Sequence, residues 1–323
     1  MKRIGVLTSG GDGPGLNPCI RSVTRTALSL GTAVSGIMRG FAGLMDGEML
    51  DLDDRAVGGI LGKGGTFLGT ARALEFKTLK GQHEALRNLN QAGVQGLVVI
   101  GGNGSLTGAL ALHKLGFPVV GVPATIDNDV GGTDIAVGVD TTLNTILDAV
   151  DKIKDTASSH QRAFLIEVMG RDCGYLALNS AIAGGAEAVL IPEVETRLED
   201  LAEMMVDAYI RGKAHCIVIF AEGYKPGTQA EVEYLHGRKD ELGFEVRVTA
   251  LGHVQRGGRP SAFDRLLATR LGSAAAQGLH DGKTGNAVGL MGNRIAFTPL
   301  EEAISNPPQI SPDLCKLAEI MER

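Results

Sequence analysis

Leu97-Val98-Val99-Ile100 runs into Gly101-Gly102-Asn103-Gly104-Ser105, and Val119-Val120-Gly121-Val122 runs into Pro123-Ala124-Thr125-Ile126-Asp127-Asn128-Asp129. Both apolar runs are short and end at glycine or proline, as strands of a parallel sheet do when helices cover both faces. Ser105–Leu115 between them reads as a helix, so the stretch is one strand–helix–strand unit. A strand that ends in several glycines leaves backbone N–H groups bare and has no Cβ to keep an anion away. The helix starting near Ser105 turns its positive end to the same place, which favours phosphate. The second strand then delivers carboxylates. One acid can take a proton from an attacking hydroxyl while another holds Mg²⁺ on the phosphates, the two tasks of phosphoryl transfer.

The same alternation extends in both directions. Further strands are expected at Ile4–Leu7, Ala163–Val168, Cys216–Phe220 and Phe244–Val248, and helices at Leu16–Leu30, Gly81–Ala92, Thr141–Thr156, Leu198–Arg211 and Ser261–Gly278. This pattern predicts an α/β protein, and 323 residues suit two domains of roughly 150 residues each. Each is expected to be a Rossmann-like three-layer α/β/α domain with a largely parallel sheet. No Pro/Ser-rich linker divides the chain, so it is expected to cross between domains near Asp140 and return near Gln255. The expected division is 1–139 with 256–305, and 140–255 with 306–323. Ligands of such sheets bind beyond the strand carboxyl ends. The loops to watch are therefore Gly10–Gly15, Met169-Gly170-Arg171, Glu222-Gly223 and Leu251–Gly258, all expected to face one cleft.

Composition narrows the class further. The 46 glycines follow apolar runs without a collagen period, so they belong to turns and ligand loops. Thirty-one basic and 37 acidic side chains give a net charge of −6, which argues against nucleic acid or an anionic membrane as the main partner. Cys19, Cys173, Cys216 and Cys315 form no C-x-x-C pair, so neither zinc nor a disulfide framework is indicated. The apolar run after Lys2-Arg3 breaks at Thr8-Ser9, too soon for a signal peptide, and no apolar stretch approaches the ~20 residues of a membrane span. A cytoplasmic location is expected.

Two nucleotide signatures fail. Gly278–Thr284 misses the P-loop spacing by one residue and follows no strand, so it reads as a surface turn. Gly102, Gly104 and Gly108 likewise miss the dinucleotide spacing by one.

Seven ordered motifs carry a resemblance instead. They are Thr8-Ser9-Gly10-Gly11-Asp12-Gly13-Pro14-Gly15-Leu16-Asn17, Gly64-Gly65-Thr66-Phe67-Leu68-Gly69-Thr70-Ala71-Arg72, Gly101–Ser105, Thr125–Asp129, Ser159-His160-Gln161-Arg162, Glu167-Val168-Met169-Gly170-Arg171 and Gly252-His253-Val254-Gln255-Arg256-Gly257-Gly258. Across nearly the whole chain the sequence resembles the bacterial ATP-dependent 6-phosphofructokinases. The resemblance implies phosphorylation of fructose 6-phosphate by ATP in glycolysis, with Mg²⁺ and a homotetrameric assembly. By the same resemblance, the first expected domain binds ATP and the second the sugar phosphate.

The resemblance also implies roles. Asp127 would be the base for the sugar 1-hydroxyl, Asp129 would help hold Mg²⁺, and Thr125 would hydrogen-bond near the transferred phosphoryl group. Arg72 and Arg171 would neutralise its charge, and Gly11 joins the catalytic set. Gly11, Phe41, Arg72, Ala73, Lys77, Gly102, Asn103, Gly104, Ser105 and Gly108 fall where the family lines its ATP site. Thr125, Asp127, Arg162, Met169, Gly170, Arg171, Glu222, Arg247, His253 and Arg256 fall on the sugar-phosphate site, with Arg162 and Arg247 supplied by a neighbouring subunit. Arg21 and Arg25, together with Lys154, Glu187, Arg211 and Lys213, match an effector site for ADP or GDP or for phosphoenolpyruvate. There the chain departs from the family, with Asp54-Arg55 and Gly59 replacing the usual arginine and acid.

Pyrophosphate-dependent members tend to carry Asp and Lys where this chain has Gly104 and Ala124. The small residues leave room for a nucleotide α-phosphate, so ATP is the expected donor. Asn103 stands where ATP-dependent members usually have aspartate, keeping an oxygen ligand for the metal but losing a negative charge. Two alternatives therefore stand beside an active 6-phosphofructokinase: a weakly active or non-catalytic regulatory paralogue, and a kinase for another phosphosugar.

Overall fold

The computed structural model describes residues 1–321. In chain order the elements are β1 (Arg3–Thr8), α1 (Leu16–Ser29), β2 (Ala33–Ile37), α2 (Phe41–Asp46), β3 (Met49–Leu52), a 3-10 turn (Glu75–Lys77), α3 (Leu79–Gln91), β4 (Leu97–Gly101), α4 (Asn103–Lys114) and β5 (Val119–Pro123). Next come α5 (Val139–His160), β6 (Arg162–Val168), α6 (Tyr175–Gly184), β7 (Ala188–Leu190), α7 (Leu198–Ile210), β8 (Cys216–Ala221), α8 (Thr228–Gly237), α9 (Lys239–Leu242), β9 (Glu245–Ala250) and a second 3-10 turn (Gly252–Arg256). The chain closes with α10 (Ala262–His280), β10 (Asn286–Met291), β11 (Arg294–Pro299), α11 (Leu300–Ser305) and α12 (Pro312–Met321). It divides into two compact units, Met1–Thr141 with Arg256–Pro308, and Thr142–Gln255 with Gln309 onward.

The first unit holds a seven-stranded sheet in the order β11-β10-β5-β4-β1-β2-β3. Its centre is parallel, and each edge is closed by one antiparallel strand, β11 on β10 and β3 on β2. In β4 and β5 every residue is buried. The two-residue period sends Val98 and Ile100 into the layer under α1 and α10, and Leu97 and Val99 into the opposite layer with Leu89 and Leu106. Helices α1 and α10 approach closely because Gly272 lies against the Cys19 carbonyl and Ser22, where a Cβ would be only 2.8 Å from that oxygen. Ser22 Oγ donates to the Thr269 carbonyl at 2.6 Å across the same seam.

The Asp264 carboxylate, fully buried, accepts from Gly138 N, Thr141 N and Thr141 Oγ1, and so serves as the N-cap of α5 from another helix. Burial pushes its pKa up while these donors pull it down. The fit of three donors to one carboxylate is what orients the first turn of α5.

The second unit holds a four-stranded, wholly parallel sheet in the order β7-β8-β6-β9. All six residues of β8 are buried. Ala163 and Leu165 from β6 face a layer containing Leu201, Met205 and Leu235 of α7 and α8. Within the P-loop near-miss, Gly278 to His280 form the last turn of α10, so only the residues after it make the expected turn.

Candidate active site

The first unit gathers four of the seven motifs at the carboxyl ends of β1, β4 and β5. Asn17 holds two of them together: its amide donates to the Lys63 and Gly64 carbonyls at 3.1 Å, and its oxygen accepts from Phe67 N at 2.6 Å. Thr8 and Thr66 share a 2.7 Å hydrogen bond, and Thr70 Oγ1 donates to the Gly10 carbonyl at 2.8 Å. These bonds lay the 64–72 loop along the 8–17 loop, with Arg72 exposed at its end.

Gly101 and Gly102 set the cradle's width. A Cβ on Gly101 would collide with the Ser9 carbonyl and Ser105, and one on Gly102 would come within 3.3 Å of Thr125. The turn after β4 is thus wedged between the ends of β1 and β5. Gly104 faces open space. Asn103 is the first residue of α4, whose positive end looks into the cradle.

Thr125–Asp129 is a tight turn, not an extended tail. Asp127 N donates to Thr125 Oγ1 at 3.2 Å, an ST-turn bond that orients the Asp127 backbone. Asn128 takes a left-handed backbone, φ 53°, and its Oδ1 accepts from Ala136 N at 2.9 Å. Asp127 and Asn128 are buried and Asp129 half-buried. Arg256 also belongs to this unit: its guanidinium lies where a Gly11 Cβ would be, and Nη1 donates to the Asp12 carbonyl at 3.3 Å.

Phe41 is a core residue. It is 4 % exposed, its ring stacks on Phe76 at 4.1 Å, and Gly108 is bare because a Cβ there would meet the Phe41 ring at 2.6 Å. Ala73 packs against the same cluster, and Lys77, exposed, ends the 3-10 turn that carries Phe76.

In the second unit a parallel arrangement forms at the carboxyl ends of β6, β8 and β9. Arg171 takes φ 53°, and its N–H donates to Glu222 Oε1 at 2.9 Å. Gly170, at φ 141°, lies against the Cys173 carbonyl, and Gly223 lies against the Arg171 carbonyl. Met169 N donates to Gln255 Oε1 at 3.1 Å, tying the 168–171 loop to the turn that carries His253.

Arg162 and Arg247 do not join this group. Arg162 opens β6 and Met169 follows its last residue, so the strand separates them by about 20 Å. Both arginines instead grip Glu245: Arg162 Nε bonds one carboxylate oxygen at 2.7 Å and Arg247 the other. The hydrogen bond from Arg162, then the two positive charges, hold the Glu245 carboxyl below its ordinary range.

The residues matched to an effector site fall on both units. Arg21 and Arg25 share a face of α1, and Arg25 pairs with Asp54 at 3.5 Å. In the second unit Lys213 pairs with buried Glu187 at 3.1 Å, Glu187 also accepts from Ile217 N, Lys154 donates to the Gly184 and Gly185 carbonyls, and Arg211 pairs with Asp207. Asn17, Gln255 and Glu245 are the structural partners that motif reading passed over. The first two lie inside the 8–17 and 252–258 motifs, but a neutral amide carries neither the charge nor the backbone freedom that marks a site in sequence.

Among the described residues no three His, Cys, Asp or Glu side chains gather as a metal cluster. The oxygen donors of Asp129 and Asn103 suit a hard cation such as Mg²⁺, which takes one or two protein ligands and completes its shell with water and phosphate. No helix of the described residues is long and apolar enough to cross a membrane.

Fold and site together define a doubly wound α/β protein with a glycine-cleared anion cradle and paired acids at its strand ends. The chain belongs to the phosphofructokinase family, whose model, described as Phosphofructokinase, matches residues 3–279. It is 48% identical over 319 residues to the ATP-dependent 6-phosphofructokinase of Shouchella clausii, and 49% identical over 322 residues to the ATP-dependent 6-phosphofructokinase 1 of Thermus thermophilus, covering 99% of both chains in each case. Pichia pastoris phosphofructokinase in the T-state superposes with a TM-score of 0.89 at 38% identity, over 94% of this chain and 35% of that one.

Proposed function

We infer that the chain is an ATP-dependent 6-phosphofructokinase, transferring the γ-phosphoryl group of ATP to fructose 6-phosphate to give fructose 1,6-bisphosphate in glycolysis, with Mg²⁺. The observation that carries this reading is near-half identity over 99% of the chain to relatives of that name. Such end-to-end likeness does not favour a non-catalytic paralogue.

The residue roles are our proposal, taken from the resemblance to the family and supported by the local geometry. The Asp127 carboxylate takes the proton of the sugar 1-hydroxyl as that oxygen bonds to the γ-phosphorus and the bond to the β–γ bridging oxygen breaks, releasing ADP. Its backbone is fixed by Thr125 Oγ1, and burial keeps water from competing for the proton. Arg72 and Arg171 balance charge on the phosphoryl oxygens, since a guanidinium stays protonated throughout. Asp129, with Asn103, would hold Mg²⁺, which when bound neutralises phosphate charge. The first unit binds ATP and the second the sugar phosphate, through Met169, Gly170, Glu222 and His253.

Arg162 and Arg247 serve the site of a neighbouring subunit in a homotetramer. Their distance from Met169 along β6 and β9 supports this, because neither side chain spans the strand. Arg21, Arg25, Lys154, Glu187, Arg211 and Lys213 are proposed to take an anionic effector, with the Arg25–Asp54 pair weakening its grip. Free thiols and the lack of a membrane helix among the described residues are compatible with cytoplasm.

Open space at Gly104 supports ATP over pyrophosphate, since nothing there crowds an α-phosphate. A coupled assay with fructose 6-phosphate and either donor tests the reading. ATP is expected to turn over faster, and tagatose 6-phosphate or sedoheptulose 7-phosphate to show lower kcat/KM. Faster turnover with pyrophosphate, or none with ATP across a Mg²⁺ titration, would overturn it.

A further inference from the structure

Gln255 is fully buried, and each polar group of its side chain is used. Its Oε1 accepts from Met169 N at 3.1 Å, and its Nε2 donates to the Gly252 carbonyl at 3.0 Å. Its own carbonyl accepts from Thr142 Oγ1, on α5, at 3.0 Å. The last ladder pair between β6 and β9 is Glu167 with Ala250, and Leu251 N still reaches the Glu167 carbonyl. Past that point the two backbones diverge into separate loops. The Gln255 amide bridges the gap, joining the 169–171 loop to the 252–256 turn one step beyond the sheet.

A neutral amide does this with no charge and no proton to take up, because the site demands an acceptor and a donor on one planar group. A carboxylate would accept from Met169 but offer Gly252 nothing and would carry a buried charge. An apolar side chain of equal length would leave a buried N–H and a buried C=O unpaired.

We propose that Gln255 is a positioning residue for the sugar-phosphate side of the reaction, holding the Met169-Gly170-Arg171 backbone in register with the turn that carries His253. The proposal rests on the assignment of those residues to fructose 6-phosphate. Gln255 itself touches no substrate; it sets the spacing of the groups that do. Its effect is therefore confined to one of the two substrates, whereas a general packing defect weakens both.

The test measures steady-state kinetics of the full-length wild type, Gln255→Met and Gln255→Glu. Loss of both bonds in Gln255→Met is expected to raise the KM for fructose 6-phosphate by about tenfold, with the KM for ATP within about twofold of wild type. Gln255→Glu keeps the acceptor for Met169 and is expected to fall between them. The upward shift in melting temperature caused by fructose 6-phosphate should shrink in the same order, while that caused by ATP stays. An unmoved KM for fructose 6-phosphate, or equal increases in both KM values, would overturn the proposal. If Gln255→Met does not fold, Gln255→Glu is judged by the same two criteria. An inactive wild type would defeat the functional reading instead, so the two failures are distinguishable.

Discussion

Asn128 and Arg171 each hold a side chain on a left-handed backbone, φ 53° in both, and each lies at the carboxyl end of a strand bearing proposed catalytic residues. Non-glycine residues pay to sit there, and such strain collects at functional sites when surrounding bonds over-determine it. The Asn128 side-chain bond to Ala136 N and the Arg171 backbone bond to Glu222 are those restraints. Asn103 presents the opposite case, a relaxed helical residue whose chemistry is one charge short. Asn103→Asp adds that charge at the positive end of α4, beside the Mg²⁺ position proposed above. It is expected to lower the Mg²⁺ concentration for half-maximal activity by about fivefold or more, since even a water-screened charge contributes an attraction on the order of 1 kcal/mol. An unchanged half-saturation in a Mg²⁺ titration at fixed ATP would remove Asn103 from the metal site.

Elements differ in how plainly the chain announces them. β4, β5 and β8 are buried on both faces and appear as unbroken apolar runs. β2, Ala33-Val34-Ser35-Gly36-Ile37, interleaves serine and glycine, and β7 has three residues, so neither shows a period long enough to read. α6 is mostly buried, with small and apolar residues all round, so it carries no amphipathic stripe for sequence reading to find. α8 hides a titratable group. Glu231, fully buried on this helix, has its pKa pushed up to about 7 by burial and then by the charge of Glu167. Because the folded value lies above the ordinary value of 4.5, the contribution is intact below about pH 4.5 and is lost as pH rises through about 7. Ionising the carboxyl inside the fold costs roughly 3 kcal/mol more than ionising it in the unfolded chain. Glu231→Gln removes the charge and is expected to match wild type in urea unfolding at about pH 4.5 and to exceed it by about 1–3 kcal/mol at about pH 8. A parallel pH dependence in both proteins would show that Glu231 ionises without cost.

At the scale of the whole molecule, the placement of Arg162 matters most. It sits at the start of β6, about 20 Å along the strand from Met169, although both were assigned to one ligand. The homo-oligomer proposed above would resolve this, each chain lending its arginines to a neighbour. Asp127→Ser and Arg162→Ser chains are each expected to be nearly inactive. Refolded together in equal amounts, they should recover on the order of a quarter of wild-type activity, since that share of sites draws both intact residues by chance. Activity no greater than the sum of the separate chains would place Asp127 and Arg162 of one site on one polypeptide.

Sequence by itself determined the alternation of strands and helices, the α/β class, and the chemistry available at each strand end, because periodicity and residue type are local properties. Glycines after Ile100 and acids after Val122 mark where a phosphate site is to be expected, since bare backbone N–H groups and carboxylates are local features. Tertiary structure alone decided which distant segments meet. Asn17 lays the 64–72 loop on the 8–17 loop, Arg256 covers Gly11, Phe41 turns into the core against Phe76, and Arg162 is held away from Met169 by the length of a strand. Those outcomes depend on hydrogen bonds and packing between residues far apart in the chain, and no local pattern records them. Gln255 shows the difference most directly: an uncharged residue inside a recognisable motif, whose use appears only when Met169 N arrives 3.1 Å from its amide oxygen.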